Sequence, residues 1–301
     1  MLVHPQPDPI AVALGPLQVH WYGLMYLLAF LTGWWLARVR AKQPWRNWTA
    51  EQADDLVFYV ALGVILGGRV GYTLFYNFDG FVENPLWIFK LWGGGMSFHG
   101  GFLGVLVAMV LFARKHGKPF WDVMDFVAPV VPPGLFFGRI GNFINGELPG
   151  RAADPSFPLA MQWPGVDYLV HPSPLYQAFT EGVLLFTILW FFSWRPRPRY
   201  AVSGLFALGY GIFRFTTEFF RTPDVQLGFI AFGWLTMGQL LCIPMILVGI
   251  ALLWIGYRRR IMPVIAETVP AAAVKIDREL AKEIVQAGKD KARGRKKGSA
   301  P

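Results

Sequence analysis

Long apolar runs are the feature of this sequence that most limits how the chain can fold. They are about 20 residues long, which is the length that a helix needs to cross a bilayer. Only 16% of the 301 residues are charged and 54% are hydrophobic, whereas a soluble protein usually carries about 25% charged residues. Backbone polar groups inside a membrane must be satisfied within the spanning segment, so each run is expected to be helical. The sequence therefore predicts an all-α integral membrane protein with about seven transmembrane helices.

The seven spans divide the chain into a transmembrane body and segments outside it. They are predicted at residues 19–37, 56–76, 97–113, 120–145, 175–194, 202–220 and 233–257. Three prolines, Pro129, Pro132 and Pro133, interrupt the fourth span. The predicted divisions are an N-terminal segment (1–18), a transmembrane domain (19–257) with an arm (78–95) and a head (147–174) outside the helices, and a basic tail (258–301).

Basic residues predict the orientation of these spans, because cytoplasmic loops are enriched in Lys and Arg. The loops on one side of the predicted membrane carry ten such residues, and segment 258–301 adds twelve more. The loops on the other side carry only Lys90, Arg151 and Arg221. We therefore expect the N-terminus outside and the C-terminus in the cytoplasm.

Five polar side chains from five spans are predicted at one depth, near the outer leaflet. Arg69, Arg139 and Arg214 lie in the outward-going halves of their spans, and Tyr22 and His99 lie near the outer starts of theirs. A shared depth indicates a single site. Three arginines favour an anionic ligand, because the planar guanidinium donates two hydrogen bonds to a phosphate at once.

Segment 138–151 concentrates polar residues at the end of the fourth run. Arg139 and Asn142 are three residues apart, so a helix places them on one face. An arginine at membrane depth is costly and marks a functional site by default. The alternative is that Arg139 pairs with a buried carboxylate and joins two helices.

Glycines surround His99 in the segment that precedes the third span. Glycine allows a backbone to approach a ligand closely, and histidine suits proton transfer near neutral pH. The alternative is a helix interface of small residues, in which His99 is a satisfied polar residue.

Together these motifs resemble the bacterial prolipoprotein diacylglyceryl transferases, over nearly the whole chain up to about residue 260. The signature is Gly-Arg-x-Gly-Asn-Phe-x-Asn-Gly-Glu-x-x-Gly-Arg at 138–151. The other shared motifs are Gly67-Gly-Arg-Val-Gly-Tyr72, Ser97-Phe-His-Gly-Gly101, His171-Pro-Ser-Pro-Leu-Tyr176 and Arg214-x-x-x-Glu218-Phe-Phe-Arg221. The chain departs from the family at Gln177, where a glutamate is common.

The resemblance implies a multi-pass enzyme of the bacterial inner membrane whose active site faces the periplasm. It would transfer the diacylglyceryl group of phosphatidylglycerol to the lipobox cysteine thiol of a prolipoprotein signal peptide. A thioether forms and glycerol phosphate leaves, in the first step of lipoprotein maturation. The expected partners are phosphatidylglycerol, prolipoprotein signal peptides and membrane lipids, with no nucleic acid, cofactor or metal, and the chain is expected to be a monomer.

Site roles follow from the resemblance and from this chemistry. Arg139 and Arg214 are the expected phosphate-binding catalytic residues, and His99 is the expected acceptor of the cysteine proton. The expected substrate-binding residues are Tyr22, Arg69, Tyr76, Asn142, Asn145, Glu147, Gly150 and Glu218.

Several of these residues have a second interpretation. Glu218 stands four residues after Arg214 and can form a plain intrahelical pair. Tyr22 and Tyr76 can belong to an interfacial aromatic belt. Arg69 can pair with an acidic residue, and Glu147 can brace an arginine instead of binding lipid hydroxyls.

Two other classes of function remain open from the sequence. The chain can be a transporter or flippase of an anionic phospholipid, although it has no obvious inverted repeat. It can also be a scaffold with structural arginines. The tail mixes Lys, Arg, Asp and Glu at 275–297, and attraction to anionic lipid head groups is its expected role.

Overall fold

A computed structural model describes residues 2–15, 17–90, 94–223 and 226–262 of the chain. The described residues belong to one packed unit. Residues 91–93 of the predicted arm and the predicted tail from residue 263 onward lie outside these ranges.

Helices follow the apolar runs in order along the described chain. They are α1 (Trp21–Ala41), α2 (Ala50–Tyr76), α3 (Phe78–Glu83), α4 (Phe98–Lys115), α5 (Phe120–Val127), α6 (Val131–Ile144), α7 (Ser173–Gln177), α8 (Leu185–Phe192), α9 (Ala201–Thr217) and α10 (Met237–Arg259). A 3-10 turn, Ala128–Val130, joins α5 to α6, and a π-helical segment, Ala178–Leu184, joins α7 to α8. Further 3-10 turns are Pro44–Arg46, after α1, and Pro85–Phe89, in the predicted arm.

Five of these helical stretches are long and apolar enough to cross a membrane. They are Ala50–Tyr76, Phe98–Lys115, Phe120–Ile144, Ser173–Phe192 and Met237–Arg259. The prediction of an all-α integral membrane protein is confirmed. Helices α1 and α9 do not meet the same combined criterion of length and hydropathy, so the number of seven spans and their orientation stay predictions.

Capping explains where several helices differ from the predicted spans. Helix α2 begins six residues before its predicted start, because Thr49 and Gln52 form a reciprocal capping box. Thr236 and Gln239 form the same kind of capping box, and α10 begins at Met237, four residues after its predicted start. Helix α1 begins at Trp21, two residues late, since the preceding residues belong to a strand.

Short strands, which the sequence analysis did not predict, organise the segments outside the helices. The N-terminal segment contains β1 (Leu2–Val3) and the antiparallel pair β2 (Ile10–Leu14) and β3 (Leu17–His20). The predicted head contains β4 (Met161–Gln162) and β5 (Leu169–Val170), which pair antiparallel. Strand β1 pairs parallel with β4, so the start of the chain is fastened to the head.

Helices α2 and α4 pack through glycines with their backbones in close contact. A Cβ added at Gly71 would lie 2.6 Å from Gly100 Cα, and one added at Gly67 would strike the Gly100 carbonyl oxygen. Gly100 directly follows His99, so the small-residue interface considered for this segment is present in the structure. The glycines are required at these positions by helix packing alone.

We predict that Gly67→Ala lowers the free energy of unfolding by about 1–3 kcal/mol, because the new methyl group meets backbone that cannot rotate away. The measurement is thermal unfolding of the purified protein in detergent. Gly23→Ala in α1 is the matched control, since a Cβ there meets nothing within 4 Å. Equal midpoints for the two variants would contradict the packing argument.

Candidate functional site

A cavity of about 460 Å³ lies among α1, α2, α4, α5 and α6. Most of its lining is apolar, with side chains such as Phe30, Val60 and Leu135. Of the described residues that line it, Arg139 is the charged one, and Asn142 lines it too. The cavity therefore combines an apolar wall with a polar end, which suits a molecule that has both an apolar and an anionic part.

Residues of the 138–151 segment form a local network at that polar end. Arg139 Nη1 approaches Asn142 Oδ1 at 3.5 Å. The Asn142 amide donates to Glu147 Oε2 at 2.8 Å, and the Asn145 amide donates to Glu147 Oε1 at 3.0 Å. Glu147 thus braces two asparagines in this structure.

Glu181 joins two arginines from different helices. Its Oε2 lies 3.6 Å from Arg139 Nη2 and its Oε1 lies 3.8 Å from Arg214 Nη1. The Glu181 side chain is fully buried, and Thr217 donates its hydroxyl to Oε1 at 3.3 Å. This is the buried-carboxylate arrangement that the sequence analysis held as the alternative for Arg139. It also brings Arg139 and Arg214 to the same carboxylate, as a shared site requires.

Glu218 extends this network. It pairs with Arg214 at 2.9 Å and with Arg221 at 3.2 Å. The Thr236 hydroxyl donates to Glu218 Oε1 at 3.2 Å. The intrahelical pair expected for Glu218 and Arg214 is therefore present, and it connects the end of α9 to the start of α10.

Arg139 is held less tightly than Arg214. Its contacts with Asn142 and Glu181 are 3.5 and 3.6 Å long, and its side chain keeps 21% of its surface exposed. Hydrogen bonds of guanidinium to carboxylate are usually about 2.7–2.9 Å. Arg139 thus faces the cavity with donors that are only weakly engaged.

The structure does not place Arg69 in this network. Its guanidinium donates to backbone carbonyls in the predicted arm, including those of Trp87 at 2.7 Å and Lys90 at 2.8 Å. It also stacks on the Trp87 ring at 3.7 Å. Its donors hold the arm in place through carbonyls, and no acidic side chain is recorded against it among the described residues.

Tyr22 and Tyr76 lie in different surroundings. Tyr22 lines the cavity together with Arg139 and Asn142. Tyr76 is 65% exposed at the end of α2, with its ring stacked on that of Tyr72. The described structure contains no contact between Tyr76 and the arginine network.

His99 occupies the first turn of α4 and is exposed. Its ring packs edge-on against Phe98, which lines the cavity. Within the described residues, no hydrogen bond joins His99 to Arg139, Arg214 or either glutamate of the network. His99 is therefore near one wall of the cavity and open to an incoming molecule.

Gly150 lies where the head crosses the end of α9. It forms an isolated antiparallel bridge with Arg221, and a Cβ there would lie 2.6 Å from the Phe220 carbonyl oxygen. The next residue, Arg151, donates through Nε to the Arg221 carbonyl oxygen at 2.9 Å. The structure thus gives Gly150 a packing role, and its expected contact with substrate stays a prediction.

Sequence reasoning missed Glu181, although a usable signal was present. It is the one acidic residue of the predicted span 175–194, and ionisable residues in apolar spans are rare and functional by default. No comparable sequence feature predicts that the segment around Glu181 is π-helical. One turn earlier, Gln177 is fully buried, and neither polar atom of its amide has a hydrogen-bond partner within the described chain.

His171 belongs to an aromatic cluster in the head. Its ring packs against Phe157, Tyr176 and Phe220. Burial lowers the pKa of His171, which favours a neutral ring. Among the described residues, no group of three or more His, Cys, Asp or Glu side chains is arranged to hold a metal ion.

The structure is that of an integral membrane protein suited to an amphiphilic ligand. It combines helices long enough to span a membrane with an apolar cavity that has an arginine network at its polar end. The chain belongs to the prolipoprotein diacylglyceryl transferase family, whose family model matches residues 9–255.

Curated relatives support the same assignment. A phosphatidylglycerol–prolipoprotein diacylglyceryl transferase of Acinetobacter baumannii is 60% identical over 264 residues, which cover 87% of this chain and 97% of the relative. The enzyme of that name from Acinetobacter baylyi is 58% identical, covering 87% and 96%. The one from Nitratidesulfovibrio vulgaris is 61% identical over 254 residues, covering 84% and 96%.

We predict that Glu181→Gln lowers the free energy of unfolding by about 3 kcal/mol, because two arginines lose the charge that compensates them in a buried setting. Thermal and denaturant unfolding of the purified protein measure this change. Glu83→Gln, at an exposed position of α3, is the control. A Glu181→Gln variant as stable as this control would show that the carboxylate does not hold the arginines.

Proposed function

We propose that this protein transfers the diacylglyceryl group of phosphatidylglycerol to the cysteine thiol of a prolipoprotein. The observation that carries the proposal is the cavity of about 460 Å³ with Arg139 at its polar end. Its apolar walls suit acyl chains, and its charged end suits the phosphate of the same molecule. Family membership and the names of the relatives support the reaction.

The nucleophile in this reaction comes from the substrate. The chain has a single cysteine, Cys242, which is 4% exposed in α10. The acceptor is the lipobox cysteine of a signal peptide. Its sulfur must lose a proton to become a good nucleophile, and it then forms a thioether with the glyceryl carbon.

Arg139 and Arg214 stabilise the leaving phosphate. As the sulfur–carbon bond forms, the carbon–oxygen bond to the phosphate breaks, and glycerol phosphate leaves with the bonding electrons. Positioned cationic donors stabilise the charge that develops on this phosphate. Arg139 borders the cavity directly, whereas Arg214 acts from behind it, through the shared Glu181.

The remaining roles are assigned by position. His99 accepts the thiol proton, directly or through water, because it is exposed beside the cavity wall formed by Phe98. Tyr22 and Asn142 line the cavity and contact the lipid head group, and Glu147 keeps Asn142 and Asn145 in place. We keep Arg69 and Tyr76 as expected lipid contacts of the arm and of the end of α2, outside the arginine network.

We place the protein in the bacterial inner membrane, with seven spans, the arginine network toward the periplasm and the C-terminus in the cytoplasm. The distribution of Lys and Arg between the two sets of loops supports this orientation. A monomer can carry out the reaction, because one chain supplies the cavity and all the named side chains. The reaction is the first step of lipoprotein maturation.

We predict that purified protein adds the mass of a diacylglyceryl group to a lipobox peptide when phosphatidylglycerol is present. One glycerol phosphate should be released for each peptide modified. Arg139→Gln should reduce this rate by about 100-fold or more, the effect of removing one donor to a developing oxyanion. Mass spectrometry of the peptide and an assay of released glycerol phosphate measure both products.

The control is Arg38→Gln, which removes an exposed arginine at the other end of α1 and should leave the rate unchanged. Release of glycerol phosphate without peptide would indicate a phospholipase. Movement of lipid between leaflets without a modified peptide would indicate a transporter or flippase. Either outcome would overturn the proposed transfer reaction.

We predict that His99→Gln abolishes transfer while lipid binding persists, because the thiol then lacks its proton acceptor. His20→Gln at the end of β3 is the matched control, since His20 is also exposed and lies just before α1. Rates are measured against pH with the same peptide. Near-normal turnover in His99→Gln would remove this residue from the mechanism.

A further inference from the structure

A second group of arginines surrounds a cavity of about 90 Å³ at the opposite end of the helices from Arg139. Helix α5 begins there, and the continuous stretch from α5 to α6 carries Arg139 near its far end. The charged residues that line this second cavity are Arg46, Asp122, Asp125, Arg195, Arg197 and Arg199.

Both aspartates of this group already accept hydrogen bonds from other residues of the chain. Asp122 accepts two hydrogen bonds from Arg199, at 2.5 and 2.9 Å. Asp125 accepts from the backbone N–H groups of Tyr200 and Ser203 at 2.8 Å each. Asp122 therefore neutralises Arg199, and Asp125 fixes the start of α9.

Within the described part of the chain, the other three arginines keep unused donors. Arg46 donates through Nε to the Gln43 side chain and through Nη2 to the Ser193 carbonyl oxygen. Among the residues that the structure describes, Arg197 donates only through Nε, to the Phe192 carbonyl oxygen at 2.7 Å. Arg195 has no hydrogen bond or ion pair with any described residue. Positive charge is thus concentrated around this cavity beyond what the two carboxylates balance.

Burial makes part of this excess costly, at Arg46. It lowers the pKa of Arg46 to about 10, so the group remains charged near neutral pH while it has lost part of its hydration. A poorly hydrated cation is stabilised by a nearby anion. An anion that reached all three arginines would offset this cost.

We infer that this cavity binds a phosphate group, carried by the head group of an anionic phospholipid in the leaflet at that end of the helices. One water molecule needs about 10–15 Å³, so 90 Å³ accommodates a group of the size of a phosphate. Guanidinium forks match phosphate oxygens in geometry. The site is separate from the Arg139 cavity and does not depend on the proposed transfer reaction.

The surroundings of the cavity favour a lipid as the carrier of this phosphate. Ile261 and Met262 line it and are 40% and 49% exposed. Trp194, next to Arg195 in the chain, is 53% exposed. Exposed apolar side chains beside a charged cavity fit the boundary between head groups and acyl chains. Free inorganic phosphate is the other source of the same chemistry.

The test compares two double variants of the full chain. Arg195→Gln/Arg197→Gln removes two charges from the cavity lining, and Arg114→Gln/Arg259→Gln removes two exposed charges at the same end that do not line the cavity. One arm titrates dioleoyl phosphatidic acid into protein held in phosphatidylcholine micelles and counts retained lipids by native mass spectrometry. The other arm titrates inorganic phosphate without anionic lipid and follows the unfolding temperature.

We expect wild type and the control to retain one more phosphatidic acid molecule than Arg195→Gln/Arg197→Gln, whose affinity falls about tenfold or more. A second result would assign the site to the free ion. In that case inorganic phosphate stabilises wild type and the control but not Arg195→Gln/Arg197→Gln, and all three proteins retain the same number of lipids. Equal behaviour of the two double variants in both arms would overturn the site. If the double variant unfolds, the single variant Arg195→Gln replaces it, because the Arg195 side chain makes no hydrogen bond or ion pair with any described residue.

Discussion

A buried carboxylate between helices holds the charged end of this protein together. Glu181 is the group through which Arg139 of α6 and Arg214 of α9 share one negative charge. Guanidinium groups in an apolar setting are stable only when they are paired and hydrogen-bonded. The π-helical segment around Glu181 supplies this partner, and such segments occur frequently at functional sites. Much of the arrangement of the arginines therefore depends on one turn of irregular helix.

The arginines of this end differ in how fully their donors are used, and this difference separates their roles. Arg69 donates to several backbone carbonyls and stacks on Trp87, so a new ligand would have to break good hydrogen bonds. Arg214 is held by Glu218 at 2.9 Å. Arg139 borders the apolar cavity, and its polar contacts with described residues are 3.5 and 3.6 Å long. Exchanging those long contacts for a phosphate costs little, which makes Arg139 the residue best prepared to bind one.

Local sequence spacing predicted the parts of the site that lie within one helix, and tertiary packing decided the rest. The three-residue and four-residue separations of Arg139 from Asn142 and of Arg214 from Glu218 correspond to contacts in the structure. Hydropathy and charge predicted a common depth for Arg69, Arg139 and Arg214. Depth is only one coordinate, however, and the packing of α2 against α4 places Arg69 against the arm.

The strands and the exact helix ends were beyond this kind of prediction for a related reason. Two-residue strands such as β1 and β4 carry no periodicity of their own and form only because the head and the N-terminal segment meet. Capping boxes at Thr49 and Thr236 were present in the sequence, but hydropathy windows place the start of a span by its apolar residues. The apolar runs therefore predicted which segments are helical, whereas hydropathy did not predict the capped starts of α2 and α10.

Positive charge is balanced differently at the two ends of these helices. At the Arg139 end, Glu181 and Glu218 lie between arginines of neighbouring segments and draw them together. At the other end, Asp122 pairs with Arg199 and Asp125 accepts hydrogen bonds at the start of α9. The arginines around these aspartates keep donors that no described residue uses. The first arrangement presents one weakly held guanidinium to an apolar cavity, which suits a reaction in which a phosphate arrives and leaves. The second keeps a permanent excess of charge, which suits an anion that stays bound.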